Sequence, residues 1–188
     1  WRTIDDWLGR SGGPPPFWAF VWAGGQALAR YVLDHADAVA GKRVLDLATG
    51  SGLCAIAAVR AGAASVNAAD IDPLAREAVS LNAEVNQVRV GFIARDLLGG
   101  TPPAYDVILA GDIFYEAETP IRLLPWLRKA HVRGTHVLIG DPGRTYFPAE
   151  ELIRLAEYDV PTSLDLEGVA QKPTGVFAFP NIETIHRA

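Results

Sequence analysis

Short apolar runs alternate with stretches whose apolar residues recur at helical spacing along most of this chain. Val44-Leu-Asp-Leu47 reads as a buried strand, and Ala48-Thr-Gly-Ser-Gly52 after it as a tight turn. Leu53 to Ala61 predicts a helix, and Ser65 to Ala69 a second strand that ends at Asp70. Asp72-Pro73 is a strong helix start, because Asp caps free N–H groups and Pro suits the first helical position. Leu74, Ala78, Leu81 and Val85 then repeat at helical spacing. Val88 to Ile93, Tyr105 to Ala110 and Thr135 to Ile139 supply three more strands. Thr119-Pro120 opens another helix by the same cap logic, with Pro125 expected to bend or break it. Pro148 to Ala156 reads as helix. Tyr158–Leu164 and Gly175–Phe179 read as two late strands that pair as an antiparallel edge. Upstream, a helix runs from about Gly25 to Asp37 with Leu28, Tyr31 and Val32 on one face. Ser11-Gly-Gly-Pro-Pro-Pro16 excludes helix and central strand. Residues 1–16 therefore read as an extended lead-in and 17–188 as a single domain.

Strands separated by helices predict an α/β fold, a mainly parallel sheet with helices on both faces. Ligands of such sheets sit beyond the carboxyl ends of the strands, at the topological switch point. That rule gathers Gly50–Gly52, Asp70, Arg95-Asp96 and Gly111–Tyr115 around one crevice.

Composition narrows the partners. With 49% apolar and 21% charged residues among 188, disorder is excluded. No apolar run reaches the ~18 residues of a membrane span. The net charge of −5 and the lack of a Lys/Arg stripe argue against nucleic acid. One cysteine, Cys54, excludes an intrachain disulfide and a multi-cysteine metal site, and a small buried side chain is the expectation for it. His35, His131, His136 and His186 lack the helical spacing of a zinc pair, so no metal is expected. The chain opens at Trp1 without a basic-then-apolar signal and contains no Met, as a trimmed or partial sequence would. Arg outnumbers Lys 14 to 3, which with the abundant Ala points to a bacterial cytoplasm; a mitochondrial matrix is the alternative.

Five groups of residues carry candidate chemistry. Asp46-Leu-Ala-Thr-Gly50-Ser-Gly52 lets a ligand approach the backbone and leads into a helix N-terminus. It lacks the third glycine of a dinucleotide fingerprint and has no Walker lysine. Asp70, 18 residues after Gly52, is placed to accept both hydroxyls of a ribose. Asp96 can accept from an exocyclic amine, or simply pair on the surface. Gly111-Asp112-Ile-Phe-Tyr115 sets a carboxylate and a phenol three residues apart, where they can hold an amine, with Phe114 and Tyr115 offering π-faces. Trp18 and Trp22 either stack on a base or form an apolar lid.

Together these residues resemble the seven-β-strand methyltransferases that use S-adenosyl-L-methionine. Val44-Leu-Asp-Leu-Ala-Thr-Gly-Ser-Gly52 is similar to their first motif, except for Ala48 where Gly is commoner. That departure is expected to cost little. Asp70 matches their ribose-binding acid and Asp96 their adenine-contacting acid. Four segments resemble the electron transfer flavoprotein β-subunit lysine methyltransferases more specifically. They are Pro15-Pro-Phe-Trp-Ala-Phe-Val-Trp22 with the residues that follow to Tyr31, Ala69-Asp-Ile-Asp-Pro73, Gly111-Asp-Ile-Phe-Tyr115 and Leu138-Ile-Gly-Asp-Pro-Gly-Arg144. The resemblance implies a Rossmann-like, mainly parallel seven-stranded sheet with an antiparallel C-terminal edge. It implies S-adenosyl-L-methionine as cofactor and S-adenosyl-L-homocysteine as product. Trp22, Asp46, Gly50, Gly52, Asp70, Ile71, Asp96 and Gly111 would bind the cofactor, and Asp112 and Tyr115 would engage a lysine of the flavoprotein β subunit. Two alternatives stay open: a nicotinamide-like small amine as acceptor, or a module that binds the cofactor without turnover.

Overall fold

A computed structural model describes residues 16–180. The expected lead-in lies, except for Pro16, outside the described residues. After a 3₁₀ turn at Phe17–Ala19, the elements are α1 (Ala23–Asp34), β1 (Arg43–Leu47), α2 (Leu53–Arg60), β2 (Ser65–Asp70) and α3 (Pro73–Val85). There follow β3 (Gly91–Ala94), β4 (Val107–Gly111), α4 (Thr119–Val132) and β5 (His136–Asp141). The chain ends with β6 (Ile153–Pro161), the short α5 (Leu164–Glu167) and β7 (Gln171–Ala178).

The strands form one seven-stranded sheet in the order β3-β2-β1-β4-β5-β7-β6. The first five are parallel to one another; β7 is antiparallel to both β5 and β6. The order reverses between β1 and β4, so the crevice opens between the carboxyl ends of these two strands. Alternation along the strands sends Val44, Leu109 and Leu138 to one face, and Leu45, Ile108 and Ile139 to the other. On the first face they meet α1 and α2 through small residues such as Ala23, Ala27, Ala55 and Ala58. On the second they meet α4 through Leu123, Leu124, Trp126 and Leu127.

Helix α1 lies so close to the sheet that backbones touch. A Cβ on Gly24 would fall 2.3 Å from the Gly140 carbonyl oxygen, and one on Gly140 would fall 2.0 Å from that of Gly24. Only glycine fits at these two positions.

Several elements differ from their sequence-based expectation. Helix α1 starts two residues earlier and ends at Asp34, with Ala36–Ala38 in a separate 3₁₀ turn. Strand β3 is shorter, because only Gly91–Ala94 reach the ladder with β2. On α3 the buried residues are Ala75, Val79 and Ala83. Leu74, Leu81 and Val85 are exposed, because the face of α3 turned toward the core is the one that carries Ala75, Val79 and Ala83. Pro125 does not end α4. It removes one N–H, but the buried Leu123, Leu124, Trp126 and Leu127 anchor both sides of it to the sheet. The helix expected over Pro148–Ala156 is instead a 3₁₀ turn, Ala149–Glu151, running into β6. As an edge strand with mostly exposed side chains, β6 carries too little apolar alternation to announce itself.

Candidate functional site

Three helices begin at the crevice, and two of them lack a cap of their own. The N-cap residues of α1 and α2, Trp22 and Gly52, supply no side-chain hydrogen bond. Acids at the ends of neighbouring strands replace them. Asp46, from β1, accepts from the N–H of Ala55 in the first turn of α2 at 2.9 Å and from the Thr49 hydroxyl. Asp112, just after β4, accepts from the N–H of Gly24 in the first turn of α1 at 2.8 Å. A carboxylate suits this position twice over, satisfying a free N–H and lying at the positive end of the helix. Helix α3 follows the local rule, with Asp72 accepting from Leu74 N–H at 2.8 Å.

The ends of β1, β2 and β4 and the segment Phe17–Trp22 enclose a cavity of about 720 Å³. Of the sequence-predicted residues, Trp22, Asp46, Gly50, Asp70, Ile71, Gly111, Asp112 and Tyr115 line it. Asp70 stands at its edge and accepts from Gly50 N–H at 2.9 Å and Asp72 N–H at 3.0 Å. These bonds fix the carboxylate and still leave each oxygen a second lone pair. Ile71 follows it with 78% of its surface exposed, an apolar plate in the wall beside Leu74. Trp18 and Trp22 both contribute to the cavity wall.

Two predicted cofactor residues do not line the cavity, although Ser51 and Leu53 on either side of Gly52 do. Gly52 is in the left-handed region at φ +85°, where a Cβ would press on the Val79 side chain at 3.1 Å. Its place is in packing α2 against α3. Asp96 is exposed, pairs with Arg122 at 2.6 Å and accepts from Leu98 N–H. The Arg122 hydrogen bond and then the Leu98 N–H hold its carboxyl below the usual range. Ala48 departs from its expectation. It sits at φ +52°, so the tightest part of the loop falls on Ala48 itself. Holding a non-glycine residue there costs roughly 1–2 kcal/mol.

Burial pushes the Asp46 carboxyl up to about 7, against the hydrogen bonds from Thr49 and Ala55. Burial likewise raises the Tyr115 phenol above its ordinary value, and the carboxylates of Glu116, Asp70 and Asp112 add to the rise. At neutral pH Tyr115 is therefore an un-ionised hydroxyl. Its ring packs on Phe17, centroids 5.3 Å apart, and Phe17 packs on Trp22 at 6.1 Å. Asp112 is 7% exposed, and its second oxygen accepts from Arg144 Nε at 2.5 Å. Arg144 also lines the cavity, and sequence reasoning assigned it no role. Its place in the Gly-Asp-Pro-Gly-Arg segment after β5 was the available signal.

Cys54 is buried, with its thiol toward the Gly25 carbonyl, and burial first and Asp46 second raise its pKa well above the ordinary value. Among the described residues no group of His, Cys, Asp and Glu could hold a metal ion. His186 lies outside them. No helix among the described residues is long and apolar enough to cross a membrane.

Comparison with known proteins agrees with this geometry. A family model described as ribosomal protein L11 methyltransferase (PrmA) matches residues 26–139. The electron transfer flavoprotein beta subunit lysine methyltransferase of Xenopus laevis is 44% identical over 170 residues, which cover 87% of this chain and 69% of that protein. Its counterpart in Rattus norvegicus is 43% identical over 167 residues, covering 86% and 64%. The chain thus spans about two thirds of the length of these relatives. Among solved structures, the ribosomal protein L11 methylase of Lactobacillus delbrueckii subsp. bulgaricus superposes with a TM-score of 0.60 at 23% identity, over 85% of this chain and 80% of that one. The tRNA (uracil-54, C5)-methyltransferase of Pyrococcus abyssi, in complex with S-adenosyl-L-homocysteine, gives 0.59 at 16% identity, over 82% and 38%. Sheet order and matched sequence lead to one assignment: the chain belongs to the electron transfer flavoprotein β-subunit lysine methyltransferases, within the broader ribosomal protein L11 methyltransferase (PrmA) family.

Proposed function

We propose that this protein transfers a methyl group from S-adenosyl-L-methionine to lysine side chains of the electron transfer flavoprotein β subunit. The observation that carries the reading is the convergence of Asp70, Ile71, Asp112 and Tyr115 on one cavity at the switch point of the sheet. The cavity has the size of a cofactor site. Its residues suit the cofactor: Asp70 for the ribose hydroxyls, the Ile71 plate for the base, and the glycine loop at Gly50 for the amino-acid end. When bound, the cofactor supplies a sulfonium methyl that a neutral lysine amine takes in line, leaving S-adenosyl-L-homocysteine.

The chain's own residues must then select and orient that amine. A free lysine has a pKa of about 10.4 and is mostly protonated at neutral pH. The aromatic wall of Phe17, Trp22 and Tyr115 disfavours the ammonium form by desolvation as the side chain enters. The Tyr115 hydroxyl, neutral and at the mouth, is the group available to hydrogen-bond the amine. Asp112 acts differently. Gly24 and Arg144 hold its two oxygens, so it fixes the frame around the amine. Orientation is the larger contribution, because the sulfonium carbon is already activated.

The test is intact-protein mass spectrometry of purified electron transfer flavoprotein incubated with this protein and the cofactor, with nicotinamide in a parallel tube. Gains of one or more methyl groups on lysines of the β subunit are expected. An unmodified flavoprotein beside methylated nicotinamide would establish the small-amine alternative. Cofactor binding without either product would leave a binding module.

A further inference from the structure

The Gly140-Asp-Pro-Gly-Arg144 segment ends in a side chain that joins four parts of the molecule. Asp141, 1% exposed, turns the loop after β5: its Oδ1 accepts from the N–H groups of Gly143 and Arg144, each at 2.7 Å. Arg144 is thereby aimed at the end of β4. Its Nε donates to Asp112, and its two terminal nitrogens donate to Glu167 at 3.0 and 2.6 Å. The guanidinium carbon lies 5.8 Å from the centre of the Trp22 ring. Lys172, on β7, closes the far side of Glu167 at 2.8 Å. The Arg144 side chain is 19% exposed and that of Glu167 5%.

This arrangement uses what is particular to arginine. A planar fork places several donors at once in fixed directions, whereas a lysine could satisfy one carboxylate and leave the other. A buried ion cluster is weak evidence of stability in itself, since apolar residues of the same volume often do as well. Its content here is geometric. Asp112 and Trp22 bound the cavity, and Asp112 holds the first turn of α1 through Gly24. Glu167 is outside the cavity wall and reaches the reacting end through Arg144.

We infer that Arg144 is a positioning residue for methyl transfer: clamped by Glu167, it holds Asp112, Trp22 and the start of α1 in the geometry the reaction needs. The inference rests on the methyl-transfer reading above. It also gives the C-terminal β6–β7 hairpin a part in the chemistry, because that hairpin carries the clamp.

Arg144→Lys and Glu167→Gln test it, with three readouts: rates against flavoprotein concentration, calorimetric affinity for S-adenosyl-L-homocysteine, and hydrogen exchange at residues 23–28. For Arg144→Lys, kcat is expected to fall about 10- to 100-fold, with KM and product affinity within about threefold. Glu167→Gln should move kcat in the same direction by about three- to tenfold, and the double variant should be no worse than Arg144→Lys. Amides at the start of α1 should exchange faster in both variants. A Glu167→Gln protein with wild-type kcat overturns the inference, as does a loss confined to KM or to product affinity. If Arg144→Lys does not fold, Glu167→Gln decides alone. If the wild-type protein transfers no methyl group, the methyl-transfer reading fails separately. Exchange then decides: unchanged protection of α1 overturns the clamp, and faster exchange supports it.

Discussion

The two faces of the sheet solve the same packing problem with different residues. Toward α4 the core is Leu, Ile, Trp and Phe, large side chains that fill the space between helix and strands. Toward α1 and α2 it is mostly Ala and Val, and at Gly24 and Gly140 no side chain remains. Large side chains can exchange volume with their neighbours, so the α4 face keeps some tolerance. The α1 face has none at its closest point, because backbone meets backbone. It is also the face from which α1 and α2 present their N-termini to the cavity. Positional accuracy at the site is thus set by the absence of atoms on one side, and bulk stability by their abundance on the other.

Breaking the tight face is expected to have the largest effect. Gly140→Ala drives a methyl group into the Gly24 carbonyl, and the protein should lose roughly 3 kcal/mol or more, or fail to fold, in urea titration. On the opposite face, Leu127→Ala should cost about 2–5 kcal/mol, yet leave methyl transfer per folded molecule close to wild type. An activity loss larger than the stability loss would mean that the α4 face also sets the site.

Each face ends in a buried acid, Asp46 toward α2 and Asp141 toward α4, and pH probes them. Burial, with Asp112 adding, outweighs the hydrogen bonds from Arg144 and Gly143 and lifts the Asp141 carboxyl to about 6. Below the unfolded value of 3.8 the group is protonated in both states. As pH rises toward 6, the unfolded chain releases a proton that the folded one retains, so this group's contribution to stability falls. Asp141→Asn should remove roughly 1–3 kcal/mol of that fall, seen as flatter urea midpoints between about pH 4 and 6. The smallest effect is expected at the loop between the faces. Ala48→Gly relieves the left-handed strain and should stabilise the protein by about 0.5–1 kcal/mol in thermal unfolding.

Much of this architecture was legible in the residues. Val44–Leu47, Tyr105–Ala110 and Thr135–Ile139 are apolar runs bounded by polar ends, and all three became central strands. Asp72-Pro73 started its helix as its chemistry requires. The misread places are those where local pattern and tertiary contact disagree. Leu74, Leu81 and Val85 form a regular stripe, but the sheet accepted the smaller Ala75, Val79 and Ala83. Pro148 and the acids after it resemble a helix start, and only pairing with β7 makes Ile153–Pro161 a strand. At the site, Asp70 and Asp112 were readable from their places at the strand ends and Trp22 and Ile71 from the family resemblance, while Gly52 and Asp96 do not line the cavity. The bonds at the site were not readable: Asp112 and Gly24 lie 88 positions apart, and Arg144 and Asp112 lie 32 apart. The sequence signs of the close approach were two glycines opening a helix, Gly24 and Gly25, and Gly140 at the end of an apolar strand.

The Gly24–Gly140 contact also governs how this protein can change over generations. The alphabet open at each of these positions is a single letter, and no second substitution restores the lost space while both backbones stay in place. In a library of random variants, inactivation should therefore concentrate at these chemically silent glycines as heavily as at the acids of the cavity. Drift has to enter through the α4 face, where one large side chain can be traded for another.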